Sequence, residues 1–175
     1  VLDTSGTPTL TAITEDDTTS AGDTVAAILA SAGGDRVTDI DAGAIEGIAV
    51  TGLASGNGTW QYSIDGGSTW QAVGAVSDAN ALLLRDTDRL RFVPDGLNAD
   101  SALVTFRAWD QSGATAGQQG TKVDASTNGG STPFSTASET VGLTVSAVND
   151  APAITTSAGT ARHVEKAGPT PVDPA

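Results

Sequence analysis

The chain has 175 residues, and its 21 Asp and Glu against 8 Lys and Arg give a net charge of −13. This acidity argues against binding to nucleic acid or to anionic membrane surfaces, and it suits a protein that binds cations. The chain contains no Cys, which excludes disulfides and thiolate metal sites. No apolar run approaches the roughly 18 residues of a membrane span, so membrane insertion is not expected, and the length suits one domain.

Short apolar runs with period-two alternation predict strands along the whole chain. These runs cover residues 9–15, 45–53, 59–64, 69–73, 82–84, 90–93, 103–109 and 141–148. Residues 25–30 are also apolar, and they fit a strand or a short helix equally well. Because turn signals recur about every ten residues, we expect an all-β fold, an antiparallel β-sandwich.

Residues 111–136 interrupt this regular succession of predicted strands and turns. They are rich in Gly, Ser, Thr and Gln and nearly free of large apolar side chains. A connection of this length is usually functional or mobile, and we expect a long, mobile loop before the last strand.

A partial internal repeat connects the two ends of the chain. Residues 1–7 (VLDTSGT) resemble residues 153–160 (AITTSAGT), at an offset of 152 positions, and Ile13-Thr14-Glu15 parallels Val164-Glu165-Lys166. We therefore expect residues 1–150 to form one module and residues 151–175 to be a linker and the truncated, extended start of the next. A chance likeness between two segments rich in Thr, Ser and Gly is the alternative.

Oxygen-bearing side chains cluster where the predicted strands end. The candidate metal ligands are Glu15, Asp39, Asp41, Asp110, Asn149 and Asp150. Calcium takes six to eight oxygen ligands in flexible geometry, and ligands at strand ends in a sandwich can converge on one pole. Alternatively, these side chains close turns through local hydrogen bonds to the backbone.

Four of these elements resemble cadherin motifs. Asp39-x-Asp41-x-Gly43 resembles the DxDxG element, and Ala108-x-Asp110-x-x-Gly113 resembles AxDxG with one extra residue. Glu15 lies where cadherin repeats have a first-strand glutamate. The segment 149–152 (NDAP) is similar to the DxNDNAP linker, although its first Asp is missing. Over roughly residues 9–153 the pattern resembles the cadherin-like repeats of giant bacterial surface adhesins.

This resemblance implies an Ig-like, cadherin-like Greek-key sandwich that binds Ca²⁺ at its joints and acts as a spacer in an extracellular adhesin of the bacterial cell surface. It implies no enzymatic activity, a role in cell adhesion or biofilm formation, and neighbouring repeats of the same chain as partners. It also implies a division of ligands. Asp39, Asp41 and Asp110 would face the preceding linker, and Glu15, Asn149 and Asp150 the following one.

Two further patterns, an Asp-box motif and three tryptophans, are typical of proteins with other functions. Residues 63–70 (SIDGGSTW) match the Asp-box of sialidases and other propellers, but one copy with a single tyrosine favours a stabilised hairpin over catalysis. Trp60, Trp70 and Trp109 could form a platform for sugars, although we expect at least two of them in the core. The alternative function is therefore a module that binds carbohydrate or another cell-surface ligand.

Overall fold

The computed structural model describes residues 1–40 and 45–151. Two β-sheets face each other in an all-β sandwich. The elements in chain order are β1 (Ile13–Thr14), β2 (Asp23–Thr24), α1 (Val25–Ser31), β3 (Gly47–Ala54), β4 (Gly58–Ser63), β5 (Gln71–Ala72), β6 (Ala81–Arg85), β7 (Arg89–Pro94), β8 (Asp100–Trp109), a 3₁₀ turn (Gly113–Thr115), β9 (Lys122–Val123) and β10 (Glu139–Ser146). No helix within these ranges is long and apolar enough to span a membrane.

The larger sheet has six strands in the order β1-β10-β8-β3-β6-β9, and the smaller has four in the order β2-β7-β4-β5. Strand β8 lies at the centre of the larger sheet and pairs antiparallel with both β10 and β3. The short β1 instead runs parallel to the end of β10, with Ile13 opposite Val145. This pairing determines where the chain leaves the sandwich.

The core fills the space between the sheets. Strand β8 alternates as its sequence predicts, with Val104 and Phe106 fully buried and Leu103 exposed on the outer face. Trp60 packs its edge on Phe92 with ring centroids 5.2 Å apart. Such aromatic pairs stabilise a fold beyond the area that they bury.

Residues 25–30, which the sequence left open between strand and helix, form α1. The hydroxyl of Thr24 accepts a hydrogen bond from the Ala27 amide at 3.1 Å and caps the helix. Val25, Ile28 and Leu29 are buried, a spacing that places them on one helical face.

Two strands are shorter than their predicted runs. The run 9–15 narrows to the two-residue β1, and β4 ends at Ser63. Ile64, the last residue of the predicted run 59–64, lies just after this strand and is 39% exposed.

Residues 111–136 cover the outer face of the larger sheet. Phe134 and Ala125 pack there with Trp109, and all three are buried. The Trp109 indole donates a hydrogen bond to the Thr115 hydroxyl at 2.8 Å, and β9 pairs with β6. The segment was expected to be a mobile loop because it contains few large apolar residues, but those few form a second, smaller core.

Candidate functional site

The topology separates the five predicted ligands that the structure describes into two groups at opposite ends of the sandwich. Asp110 follows the last residue of β8, whereas Asn149 and Asp150 follow β10, which runs antiparallel to β8. Strand β8 has 10 residues, and at about 3.3 Å per residue it separates the two ends by ~33 Å. We call these ends the Asp110 pole (residues 1–2, 35–40, 45–46, 85–89 and 110–112) and the Glu15 pole (residues 15–17, 55–57, 95–100 and 147–150).

Glu15 fastens the chain at the Glu15 pole. Its side chain is only 3% exposed, and its carboxylate Oε1 accepts a hydrogen bond from the Val148 amide at 2.6 Å. The Glu15 amide in turn donates to the carbonyl of Ser146 at 3.0 Å. The parallel pairing of β1 with β10 brings these groups together. Glu15 therefore fixes the backbone directly before Asn149 and Asp150.

Asn149 and Asp150 are exposed at this pole. The Asn149 side-chain amide donates to the carbonyl of Asp150 at 3.4 Å. The structure thus brings Glu15, Asn149 and Asp150 to one end of the molecule, in the grouping that the sequence predicts. Asp150 and Asn149 offer oxygens to solvent, whereas one Glu15 oxygen is already used by Val148.

A loop that the sequence analysis missed completes this pole. The Asp95 carboxylate accepts hydrogen bonds from the amides of Leu97 and Asn98, each at 3.0 Å, and from the Asn98 side chain at 2.6 Å. These bonds, that of the Asn98 side chain foremost, lower the pKa of Asp95. Gly96 at the tip has φ 77° and lies beside the Glu15 carbonyl. The pattern Asp-Gly-x-Asn after an apolar strand is the signal that could have revealed it.

Asp39 and Asp110 lie together at the Asp110 pole, where both line a cavity of about 710 Å³. Asp110 accepts a hydrogen bond from the Ser112 amide at 2.8 Å, so it also closes a turn. Leu2 and Val37 form an isolated antiparallel β-bridge, and both residues line the cavity. Asp41, the third ligand predicted for this group, lies outside the described residues.

A group of carboxylates that the sequence analysis missed lies at the same pole. The pKa of Glu46 is raised, first by burial and then by the neighbouring charges of Asp35 and Asp86; Asp35 also shares a hydrogen bond with Glu46. The Glu46 carbonyl accepts from the Gln111 side chain at 2.8 Å, which ties this group to the residue after Asp110. No local sequence signal could have joined these residues, since Asp35 and Glu46 come from opposite ends of the α1–β3 connection and Asp86 comes from the β6–β7 turn.

The turn at 85–89 belongs to the Asp110 pole. Arg85 lies opposite Gly47, which lies opposite Trp109, the last residue of β8. Asp88 is 2% exposed and accepts a hydrogen bond from the Arg85 amide at 2.7 Å. Burial raises the pKa of Asp88. This turn therefore contributes nothing to the Glu15 pole, where the exit segment lies.

The donor set fits calcium only in part. Within residues 1–40 and 45–151, no three side chains of His, Asp or Glu are arranged to hold a metal ion. All the side chains at issue carry oxygen donors, the type that calcium prefers, but calcium requires about six to eight of them. A calcium ion at either pole would therefore need ligands from outside that pole's described side chains.

The Asp-box segment forms a hairpin turn. The Asp65 carboxylate accepts from the Ser63 hydroxyl at 2.7 Å, and from the amide and hydroxyl of Thr69 at 2.9 and 2.6 Å. These bonds, that of the Thr69 hydroxyl foremost, lower the pKa of Asp65 to about 2. The Gly67 amide donates to the Ser63 hydroxyl at 2.8 Å. The side chains of Ser63, Asp65, Ser68 and Thr69 hold the turn.

The tryptophans do not form a flat exposed platform. Trp60 and Trp109 are 1% and 0% exposed and belong to two different core clusters, as expected for at least two of the three. Trp70 is half-buried, and the Arg91 guanidinium lies 4.0 Å from its ring centroid. The Gln61 side chain holds that guanidinium with two hydrogen bonds of 2.9 and 2.7 Å. One face of the Trp70 ring is therefore covered.

Comparison with protein-family models, with curated proteins and with solved structures gave no match to this chain.

Proposed function

We propose that this chain is a calcium-stabilised spacer repeat of a secreted bacterial adhesin, with an Ig-like, cadherin-like Greek-key topology. The observation that carries the proposal is the separation of the predicted ligands into two groups at opposite poles. Val1 lies at the Asp110 pole, where its nitrogen donates a hydrogen bond to the Thr38 carbonyl, and Val148 lies at the Glu15 pole. Modules joined end to end would place the two groups against each other.

Calcium in such a joint would be shared between modules. Asn149 and Asp150 of one module and Asp39, Asp41 and Asp110 of the next supply oxygen donors only, the chemistry that calcium prefers. A ligand that binds the ordered joint and not the slack one stabilises it by mass action. The free calcium concentration would therefore set the stiffness of the array.

The electrostatics of the Asp110 pole support a cation there. Burial first, and then the like charges of Asp35 and Asp86, raise the pKa of Glu46, because both disfavour its ionised form. A divalent cation near these carboxylates relieves that repulsion. The alternative function, carbohydrate binding, lacks such support because Trp60 and Trp109 are buried and Arg91 covers one face of Trp70.

Calcium titration by calorimetry tests the proposal. The samples are the complete chain and a tandem protein in which residues 1–152 precede a second, complete chain. We expect the tandem to bind calcium more tightly than the single chain, and Asp110→Asn in its second module to weaken that binding about tenfold or more.

Asp124→Asn is the matched control. Asp124 closes an equivalent turn by accepting from the Ser126 amide at 2.9 Å, as Asp110 does from Ser112, but it lies at neither pole. Each substitution keeps the turn acceptor and removes one charge. Equal weakening by the two substitutions, or no calcium heat from the tandem, would contradict the proposal.

A further inference from the structure

The large apolar side chains that the protein exposes are concentrated at its two poles. Of the seven in the described residues, three lie at the Asp110 pole and two at the Glu15 pole. Val1, Ile40 and Ile45 are 78%, 99% and 57% exposed at the first, and Leu97 and Val148 are 70% and 37% exposed at the second. A calcium site built from carboxylates does not explain this pattern, because metal binding by oxygen ligands requires no exposed apolar side chains.

The Asp110 pole also contains a receiving cavity. Its volume of about 710 Å³ lies within the ~300–1,000 Å³ of pockets that enclose small ligands, so it has room for aliphatic side chains. Its lining includes Leu2, Val37, Ile40, Pro133 and Phe134. Asp39 and Asp110 lie in the same lining, so apolar and acidic groups share one surface.

The Glu15 pole presents its apolar side chains from fixed backbone. Asp95 accepts a hydrogen bond from the Leu97 amide at 3.0 Å, and Glu15 accepts one from the Val148 amide at 2.6 Å. The two side chains therefore project from anchored positions. Pre-ordered groups lose less conformational entropy when they bind.

The tandem arrangement proposed above, in which residues 153–160 repeat residues 1–7, specifies which poles meet. Because residue 153 corresponds to residue 1 of a following module, only five residue steps separate Val148 from the next module's Val1. At no more than ~3.6 Å per residue, this connection spans at most about 18 Å. The Glu15 pole of one module must then lie next to the Asp110 pole of the following one.

We infer that Leu97 and Val148 of one module dock into the Asp110-pole cavity of a second copy, forming an apolar head-to-tail joint. This inference rests on the tandem arrangement proposed above, but it does not require calcium. The contact is heterologous, so it extends into a linear array rather than closing into a symmetric dimer. Burial of these side chains stabilises the joint even when the carboxylates bind no cation.

Thermal unfolding in excess chelator tests the inference with the same tandem protein and the complete single chain. We expect the melting temperature of the tandem to lie several degrees above that of the single chain. For a domain of this size, each gain of about fivefold in the ratio of folded to unfolded protein raises the melting temperature by about 2–4 °C. Leu97→Ser in the first module should abolish this difference in melting temperature, which is called the tandem's excess below. In the single chain, where Leu97 is 70% exposed, the same substitution should leave the melting temperature unchanged.

Leu103→Ser in the first module is the matched control, because Leu103 is 42% exposed on the outer face of β8, away from both poles. This substitution should leave the difference in melting temperature between the tandem and the single chain unchanged. Ile40→Ser in the second module only, at the receiving cavity, should reproduce the effect of Leu97→Ser.

The outcomes separate this inference from the proposed function. An excess that appears only with calcium and is insensitive to Leu97→Ser overturns apolar docking and leaves the calcium joint standing. An excess in chelator that Leu97→Ser abolishes supports docking even if calcium adds nothing. Identical melting of tandem and single chain in chelator, as expected if a free peptide or glycan occupies the cavity, also overturns it.

Discussion

Glu15 is 3% exposed, and its carboxylate accepts a hydrogen bond from the Val148 amide. A hydrogen bond to a charged group contributes about 1.5–3 kcal/mol. We expect Glu15→Ala to lower the free energy of unfolding by this amount and to speed hydrogen exchange at the Val148 amide. Urea denaturation and native-state exchange measure the two effects.

Asp16→Ala is the control for this change, since Asp16 is the exposed next residue. It should shift stability by less than ~0.5 kcal/mol. An equal cost for the two substitutions, or unaltered exchange at Val148, would mean that Glu15 does not fasten the exit segment.

Asp65 gives the protein a pH-dependent contribution to stability. Its pKa is lowered to about 2 by hydrogen bonds from Thr69 and Ser63, below the ~3.9 of an unfolded chain. The contribution is therefore complete above pH ~4 and is lost as the pH falls through about 2. Asp65→Asn should lower the melting temperature at pH 6 and converge with the wild type near pH 2.

Melting temperatures of both proteins from pH 2 to pH 6 provide the measurement. Asp16→Asn serves as the control and should parallel the wild type over this range. A difference between Asp65→Asn and the wild type that stays constant down to pH 2 would contradict the role of the hairpin carboxylate.

Single residues of the site could be predicted to different degrees. Glu15 and Asp110 were found because each ends an alternating apolar run. The partner of Glu15 could not be found, since its bond to Val148 depends on the parallel pairing of β1 and β10, which leaves no local pattern. Glu46 was missed because its neighbours Asp35 and Asp86 are distant in sequence.

At the scale of elements, the segment 111–136 is a structural layer of the domain. Phe134 is 5% exposed and packs with Trp109 on the outer face of the larger sheet. Removing a buried Phe side chain costs about 3–5 kcal/mol. We expect Phe134→Ala to destabilise the protein by an amount in this range, measured by urea denaturation.

Leu103→Ala is the comparison, because Leu103 is on the same outer face but 42% exposed. Its cost should be well below that of Phe134→Ala. If Phe134→Ala changed stability by less than ~0.5 kcal/mol, the segment would behave as the mobile loop that its composition predicts.

Elements with a strong period could be predicted from the sequence, and those without one could not. Strands β4, β7 and β8 alternate in sequence between apolar and polar residues. In β4, the predicted alternation holds only as far as the strand itself, which ends at Ser63. Helix α1 remained ambiguous because a run as short as Val25–Ser31 fits either period; the Thr24 cap decides it. Strand β9 has two residues and forms only because β6 offers it an edge.

At the scale of the whole molecule, the two ends of the sandwich carry different members of the predicted ligand set. The sequence predicted this division through the cadherin resemblance, and the antiparallel course of β8 and β10 places the described members of each group at one pole. The cavity and the exposed apolar residues had no sequence signal, because they arise from loops of separate elements. Each pole carries both acidic and exposed apolar side chains, the combination on which the proposed joint between modules depends.

The most direct test of the spacer function compares the tandem protein in calcium and in chelator by small-angle scattering and calorimetry. A joint ordered by calcium predicts a higher melting temperature in calcium and a scattering profile of fixed interdomain geometry. In chelator it predicts a lower melting temperature and a broader distribution of intermodule distances. An identical melting temperature and radius of gyration under the two conditions would contradict the proposed function.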